Sequence, residues 1–94
     1  MIEINYFTDP GHGWAACKIK TLHALGIADQ ISFYSYTRGK TAYLEEDCDF
    51  SVLLNALTRA GIEYRITEKH TDRRHPIRSY DKYTAEDLAR GRFA

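Results

Sequence analysis

The chain has 94 residues, the size of one small domain, with 44% hydrophobic and 28% charged positions. Only six Gly and two Pro are present, which excludes a collagen-like or low-complexity chain. Thirteen Lys and Arg balance thirteen Asp and Glu, which argues against a general electrostatic nucleic-acid binder but leaves room for a local basic patch.

The opening Met1-Ile2-Glu3-Ile4-Asn5 carries neither a basic region nor an apolar leader, and no apolar run approaches the roughly 18 residues of a membrane span. The expectation is a soluble, unexported protein. Cys17 and Cys48 are expected as free thiols in a reducing cytosol, packed as small hydrophobes.

Residues 4–8 (Ile-Asn-Tyr-Phe-Thr) read as a first strand. Asp9-Pro10-Gly11-His12-Gly13 is turn chemistry: Pro10 pre-sets φ, and Asp9 can close an Asx-turn. Residues 14–19 are read as a second strand forming a hairpin with the first. Residues 21–25 fit a short helix with Gly26 as its left-handed cap.

Residues 31–36 (Ile-Ser-Phe-Tyr-Ser-Tyr) are rich in strand formers, residues 37–40 turn the chain, and residues 41–44 return it, with Gly39 as the flexible turn position. Phe50, Leu53, Leu54 and Leu57 then fall on one face of a helix within 49–60, started by Asp47 or Asp49 and ended by Gly61. Ile62, Tyr64 and Ile66 alternate with Glu63, Arg65 and Thr67 as in a half-buried strand. Residues 69–79 lack periodicity and read as an exposed loop. Thr84-Ala85-Glu86-Asp87 has capping-box spacing and opens a short terminal helix anchored by Leu88. The elements predict a single α+β domain over 1–94, a mainly antiparallel sheet of hairpins with one main helix and short helices.

The chemistry concentrates in two segments. Lys69-His70-Thr71-Asp72-Arg73-Arg74-His75-Pro76-Ile77-Arg78 gathers three arginines and two histidines in an otherwise neutral chain. Arginine forks match phosphate oxygens bidentately, and Pro76 stiffens the loop. Tyr80 and Tyr83 add hydroxyls and a stacking face. The competing reading is a solvated loop whose arginines pair with Glu45, Glu46, Asp47 and Asp49. In the second segment, residues 9–14, glycines flanking His12 allow close backbone approach, and Trp14 can stack on a base. The competing reading makes Trp14 a core side chain and the glycines mere turn formers.

Other constellations are weaker. Glu45-Glu46-Asp47-Cys48-Asp49 lacks the spacing of a cation loop and is explained by helix capping and the helix dipole. Histidines 12, 23, 70 and 75 show no zinc spacing with the cysteines. Cys48 sits where a helix N-terminus favours a thiolate, yet no base is assignable. There is no P-loop and no Gly-x-Gly-x-x-Gly. No cofactor, no metal and no catalytic residue are expected. The candidate ligand-binding residues are His12, Trp14, Arg73, Arg74, His75, Arg78 and Tyr80.

Four segments resemble a family of small proteins encoded by tailed bacteriophages, whose members have no agreed activity. They are residues 6–14 (Tyr-Phe-Thr-Asp-Pro-Gly-His-Gly-Trp), residues 25–31 (Leu-Gly-Ile-Ala-Asp-Gln-Ile) with residues 34–36 (Tyr-Ser-Tyr), residues 43–49 (Tyr-Leu-Glu-Glu-Asp-Cys-Asp) and residues 76–80 (Pro-Ile-Arg-Ser-Tyr). The resemblance implies a phage accessory protein acting in the cytoplasm of an infected bacterial host. By analogy with other small phage proteins it implies an anti-defence role.

Two functions follow. In the first, the protein binds a small phosphorylated, nucleotide-like ligand through the arginine loop and Trp14. In the second, it inhibits or regulates a host defence protein through a tyrosine-rich face, since seven tyrosines and one tryptophan suit an interface. Nucleic-acid binding by the basic loop is a third, weaker reading. The open edges of a small sheet make a homodimer plausible.

Overall fold

The computed structural model describes residues 1–84. Six strands form one mixed sheet: β1 (Ile2–Thr8), β2 (Gly13–Lys18), β3 (Tyr36–Arg38), β4 (Thr41–Glu45), β5 (Tyr64–His70) and β6 (Asp81–Lys82). The spatial order is β5-β1-β2-β4-β3-β6. The pairs β1–β2, β2–β4, β3–β4 and β3–β6 are antiparallel, and β5 runs parallel to β1. Helix α1 (Ile19–Ala24) follows β2, and α2 (Phe50–Arg59) carries the chain from β4 across to β5. The α+β expectation holds. No helix among the described residues is long and apolar enough to cross a membrane.

Both expected hairpins form, but Thr37 and Arg38, read as turn residues, belong to β3 and pair with Ala42 and Thr41, so the second turn is only Gly39-Lys40. Gly26, Gly39 and Gly61 adopt φ of 73°, 60° and 69°, a region that L side chains enter at a cost; Gly26 and Gly61 follow the two helix ends and Gly39 turns the β3–β4 hairpin, as expected. The main core lies on one sheet face. Ile4, Ala15, Ala42 and Leu44 meet Ile19 and Leu22 of α1 and Leu53, Ala56 and Leu57 of α2.

Several expectations change. Only Tyr36 of residues 31–36 enters a strand, because Ser32 and Ser35 turn towards the carboxylate of Asp49. Asp49 is the residue before α2 but makes no side-chain cap. Its carboxylate accepts from Ser32 N at 3.1 Å, from Ser32 Oγ at 2.7 Å and from Ser35 Oγ. Ser35 Oγ in turn accepts from Glu45 N at 2.9 Å, so the acid ties the loop, the start of α2 and the end of β4 together. On α2, Leu53, Ala56 and Leu57 are buried, while Phe50 and Leu54 only pack against the core edge.

β5 extends to His70 and is mostly exposed rather than half-buried, because it is an edge strand. Residues 69–79 are not simply an exposed loop. They contain a 3₁₀ turn at Pro76–Ser79 that buries Ile77 completely. The expected terminal helix falls, beyond Thr84, outside the described residues.

Candidate functional site

The second sheet face carries its own aromatic layer. Phe7 and Trp14 are cross-strand neighbours, as are Tyr36 and Tyr43, which places the first pair on β1–β2 and the second on β3–β4. Segment 71–80 crosses this face. His75 lies 5.3 Å from Phe7 and 6.1 Å from Trp14, centroid to centroid, and Tyr80 lies 5.2 Å from Tyr43. Two segments far apart in sequence are thereby brought together.

Asp9 holds them in place. Its Oδ1 accepts from the backbone N–H of Gly11 and of His12, each at 3.0 Å, which is the expected Asx-turn. Its Oδ2 accepts from His75 N at 3.0 Å and from Arg78 Nε at 2.7 Å, and Arg78 Nη2 donates to Oδ1 at 2.8 Å. The side chain of Asp9 is fully buried. Arg78 holds the carboxyl well below the usual carboxylate range, against the opposing effect of burial and with help from the backbone donors. The guanidinium also lies over the Trp14 ring, 5.6 Å from its centroid. A Cβ at Gly11 would sit 2.6 Å from Arg78 Nη2, so a side chain there displaces the guanidinium from its place on Asp9.

Beside this clip lies an open cleft of about 400 Å³. His12, Trp14 and Arg78 line it, with Tyr34, Tyr36 and Lys82 from the β3 and β6 region. Glu45, the cross-strand partner of Trp14, completes the lining with Asp47 and Cys48. Trp14 itself is 2% exposed, because His12, Tyr36, His75 and Arg78 surround its ring. The half-exposed Tyr34 offers the more open ring. Lys82 Nζ sits 4.3 Å from the centre of the Tyr36 ring and donates to its hydroxyl at 3.2 Å.

Of the seven predicted residues, His12, Trp14 and Arg78 share the cleft. His75 and Tyr80 are packing residues of the aromatic layer. His75 Nδ1 accepts from Ile77 N at 3.1 Å, and Arg38 lies over the Tyr80 ring at 4.9 Å. Arg73 and Arg74 are exposed and do not line the cleft. The expected pairing of arginines with Glu45, Glu46, Asp47 or Asp49 is replaced by the Arg78–Asp9 pair. Asp9 is legible only as a turn former and Tyr34 only as a strand former and one of the seven tyrosines, while Lys82 carries no signal.

Two further groupings are chemically suggestive. His12, Glu45 and Glu46 each bring one ligand atom within 4.8 Å of the others. Glu46 is already an acceptor for the Tyr6 hydroxyl at 3.1 Å, and Glu45 for Cys48 N at 2.9 Å. Burial, then Glu46, pushes the Tyr6 hydroxyl up to about 12. Thr8 Oγ1 lies 2.8 Å from His70 Nδ1, and His70 Nε2 lies 3.1 Å from Asp72. The order hydroxyl, imidazole, carboxylate is that of a nucleophilic relay. The Asp72 side chain is 97% exposed, however, so water screens the chain.

Neither cysteine is disulfide-bonded. Burial pushes the Cys17 thiol up to about 12. Cys48 is exposed and its thiol is also raised, by local desolvation and then by Glu45, which opposes a reactive thiolate. A separate hollow of about 330 Å³, lined by Ile2, Cys17, Thr21 and Leu53 among others, contains none of the predicted site residues. No protein-family model matches the chain, and comparison with curated proteins and with solved structures finds no match.

Proposed function

We propose that this protein is a non-catalytic accessory protein of a tailed bacteriophage that binds a small phosphorylated, nucleotide-like ligand in the cleft and so counters a host defence signal. The observation that carries the ligand is the convergence of His12, Trp14, Arg78 and Lys82 on one concave surface of about 400 Å³, a size suited to a small molecule. The resemblance of the four sequence segments supports the phage setting.

The lining is mixed in charge, and that narrows the ligand. Arg78 has two of its nitrogens committed to Asp9, so its attraction for an anion is partly spent, and Lys82 is the second cation. Glu45 and Asp47 repel a bare phosphate but accept hydrogen bonds from amino groups. A nucleotide carries both an anion and base N–H donors. Tyr34 is the ring best placed to stack, because the faces of Trp14 are covered.

A thermal-shift panel of linear and cyclic nucleotides tests this reading. A ligand at a hundred times its Kd adds about 2.7 kcal/mol of stability. Lys82→Ala and Tyr34→Ala should each weaken that ligand by roughly tenfold without lowering the ligand-free melting temperature. A panel in which no nucleotide shifts the melt overturns the reading.

One observation favours an inhibitor of a host defence protein instead. Phe33 and Tyr34 are 64% and 54% exposed and stack on each other at 4.7 Å, an aromatic pair presented to solvent. Phe33 does not line the cleft. Loss of function in Phe33→Ala, with nucleotide binding absent from the native protein, would select that second reading.

A further inference from the structure

β5 lies at one edge of the sheet, and no strand among the described residues pairs with its outer side. The direction of its free backbone groups follows from two bonds. Ile2 N donates to Glu63 O at 2.9 Å, and Thr71 N donates to Thr8 O at 3.0 Å. With the parallel register running from Ile2–Tyr64 to Thr8–His70, odd-numbered residues of β5 bond to β1. The N–H and C=O groups of Tyr64, Ile66, Glu68 and His70 therefore face outward.

Edge strands are commonly guarded by charge, and β5 carries Arg65, Glu68 and Lys69. Their arrangement is selective rather than merely repulsive. A second copy adding antiparallel about a two-fold axis normal to the sheet keeps every side chain on its own face, so only residues of equal parity oppose one another. Centring on Arg65 puts Arg65 opposite Arg65. Centring on Thr67 puts Arg65 opposite Lys69, and centring on Glu68 puts Glu68 opposite itself. Each meets a like charge. Centring on Tyr64 also meets none, but there only Tyr64 opposes a residue of β5. Centring on Ile66 meets none over a longer overlap: Ile66 opposes Ile66, Tyr64 opposes Glu68, Arg65 opposes Thr67, and Glu63 opposes Lys69 twice. In that register the outward groups of Tyr64, Ile66 and Glu68 form the hydrogen-bonded pairs.

Burial agrees. Ile66 is the cross-strand neighbour of the core residue Ile4, yet it is 41% exposed. It stands where the core face runs out at the edge, and a second Ile66 would extend that face.

We infer that the protein forms a two-fold homodimer through antiparallel pairing of its β5 edges, centred on Ile66 with Glu63 of each copy opposite Lys69 of the other. The inference is independent of what the cleft binds. It is tested by light scattering across a concentration series of the native chain. The expected mass rises from 10.8 kDa to twice that value.

Glu63→Lys alone and Lys69→Glu alone should each weaken the dimer by roughly tenfold, and the double charge swap should restore it. Amide exchange of the native chain supplies a readout that needs no variant: Ile66 and Glu68 should exchange more slowly as concentration rises. A monomer at about 1 mM chain, a dimer in which the double swap is no better than either single, or exchange at Ile66 and Glu68 that ignores concentration would each overturn the inference.

Discussion

Arg78 closes on Asp9 through two hydrogen bonds, 2.7 Å from Nε and 2.8 Å from Nη2, across 69 positions of sequence. This pair joins the β1–β2 turn to the 3₁₀ turn at Pro76–Ser79 and places the guanidinium over Trp14. One side chain thus lines the cleft and holds the segment that shapes it. A binding residue with both duties cannot be tested by deletion alone.

Arg78→Ala should therefore destabilise the fold, because it leaves a buried carboxylate facing only backbone donors. The melting temperature should fall by roughly 5 °C or more. Arg73→Ala, at an exposed position, should change stability by no more than about 0.5 kcal/mol. Arg78→Lys should recover only part of the loss, since an ammonium cannot fill both oxygens of Asp9 as a planar fork does. Thermal melts of the three variants side by side would show the order. Equal melting of Arg78→Ala and the native chain would mean that the clip contributes nothing.

Acid should act through the same carboxyl. Its folded-state value lies well below the usual range, with the Arg78 hydrogen bonds as the largest cause. A depressed value adds stability that is present in full above the unfolded value of about 3.9 and is lost as pH falls through the folded one. Unfolding free energy should decline from about pH 5 downward. Asp9→Asn should start lower at neutral pH and lose part of that slope. Urea titrations at a series of pH values measure both quantities, and an unchanged slope would assign the acid lability elsewhere.

Asp49 is the second buried carboxylate with a structural duty, at 2% exposure. Its partners are all donors: Ser32 N, Ser32 Oγ and Ser35 Oγ. Asp49→Asn places an NH₂ group among donors and should cost about 1–3 kcal/mol, the penalty of a buried group left unmatched. Ser35→Ala should cost less, because it removes one donor and leaves the others. A Ser35→Ala loss exceeding that of Asp49→Asn would mean the Ser35–Glu45 contact carries the loop.

Local features of the fold were legible, and long-range ones were not. The two hairpins and α2 declare themselves through turn residues and the 3.6-residue period, which depend on neighbours in sequence. Residues 31–35 misled because Ile, Phe and Tyr favour strands, while the deciding partner of Ser32 and Ser35 was Asp49, further along the chain. Segment 71–80 misled for the opposite reason. Its single buried apolar residue, Ile77, has no periodic companion, so burial left no pattern. For the cleft, the sequence singled out His12, Trp14 and Arg78 but could not show that Arg78 is neutralised by Asp9, or that Lys82 and Tyr34 join them.

The α2 face offers a graded test of packing. Leu57 is 0% exposed within the core, whereas Leu54 packs at its margin. Leu57→Ala should cost about 2–5 kcal/mol, since the cavity forms between α2 and the sheet. Leu54→Ala removes the same atoms from a half-covered site and should cost distinctly less. Urea denaturation of both variants resolves the difference, and equal losses would mean that Leu54 is as deeply packed as its neighbour.

Gly13 supplies the last prediction, because its φ is unexceptional and only space constrains it. A Cβ there would sit 2.6 Å from Tyr6 Cζ and 3.1 Å from Cε1. The ring cannot simply swing away. It stacks on Phe50 at 5.0 Å, and its hydroxyl donates to Glu46 at 3.1 Å. Gly13→Ala should therefore destabilise by about 1–3 kcal/mol through overpacking. Tyr6→Leu in the same chain should relieve part of that loss, because it removes the colliding ring. A double-mutant cycle reads the coupling directly. Independent, additive losses would show that the strain at Gly13 comes from the strand backbone and not from Tyr6.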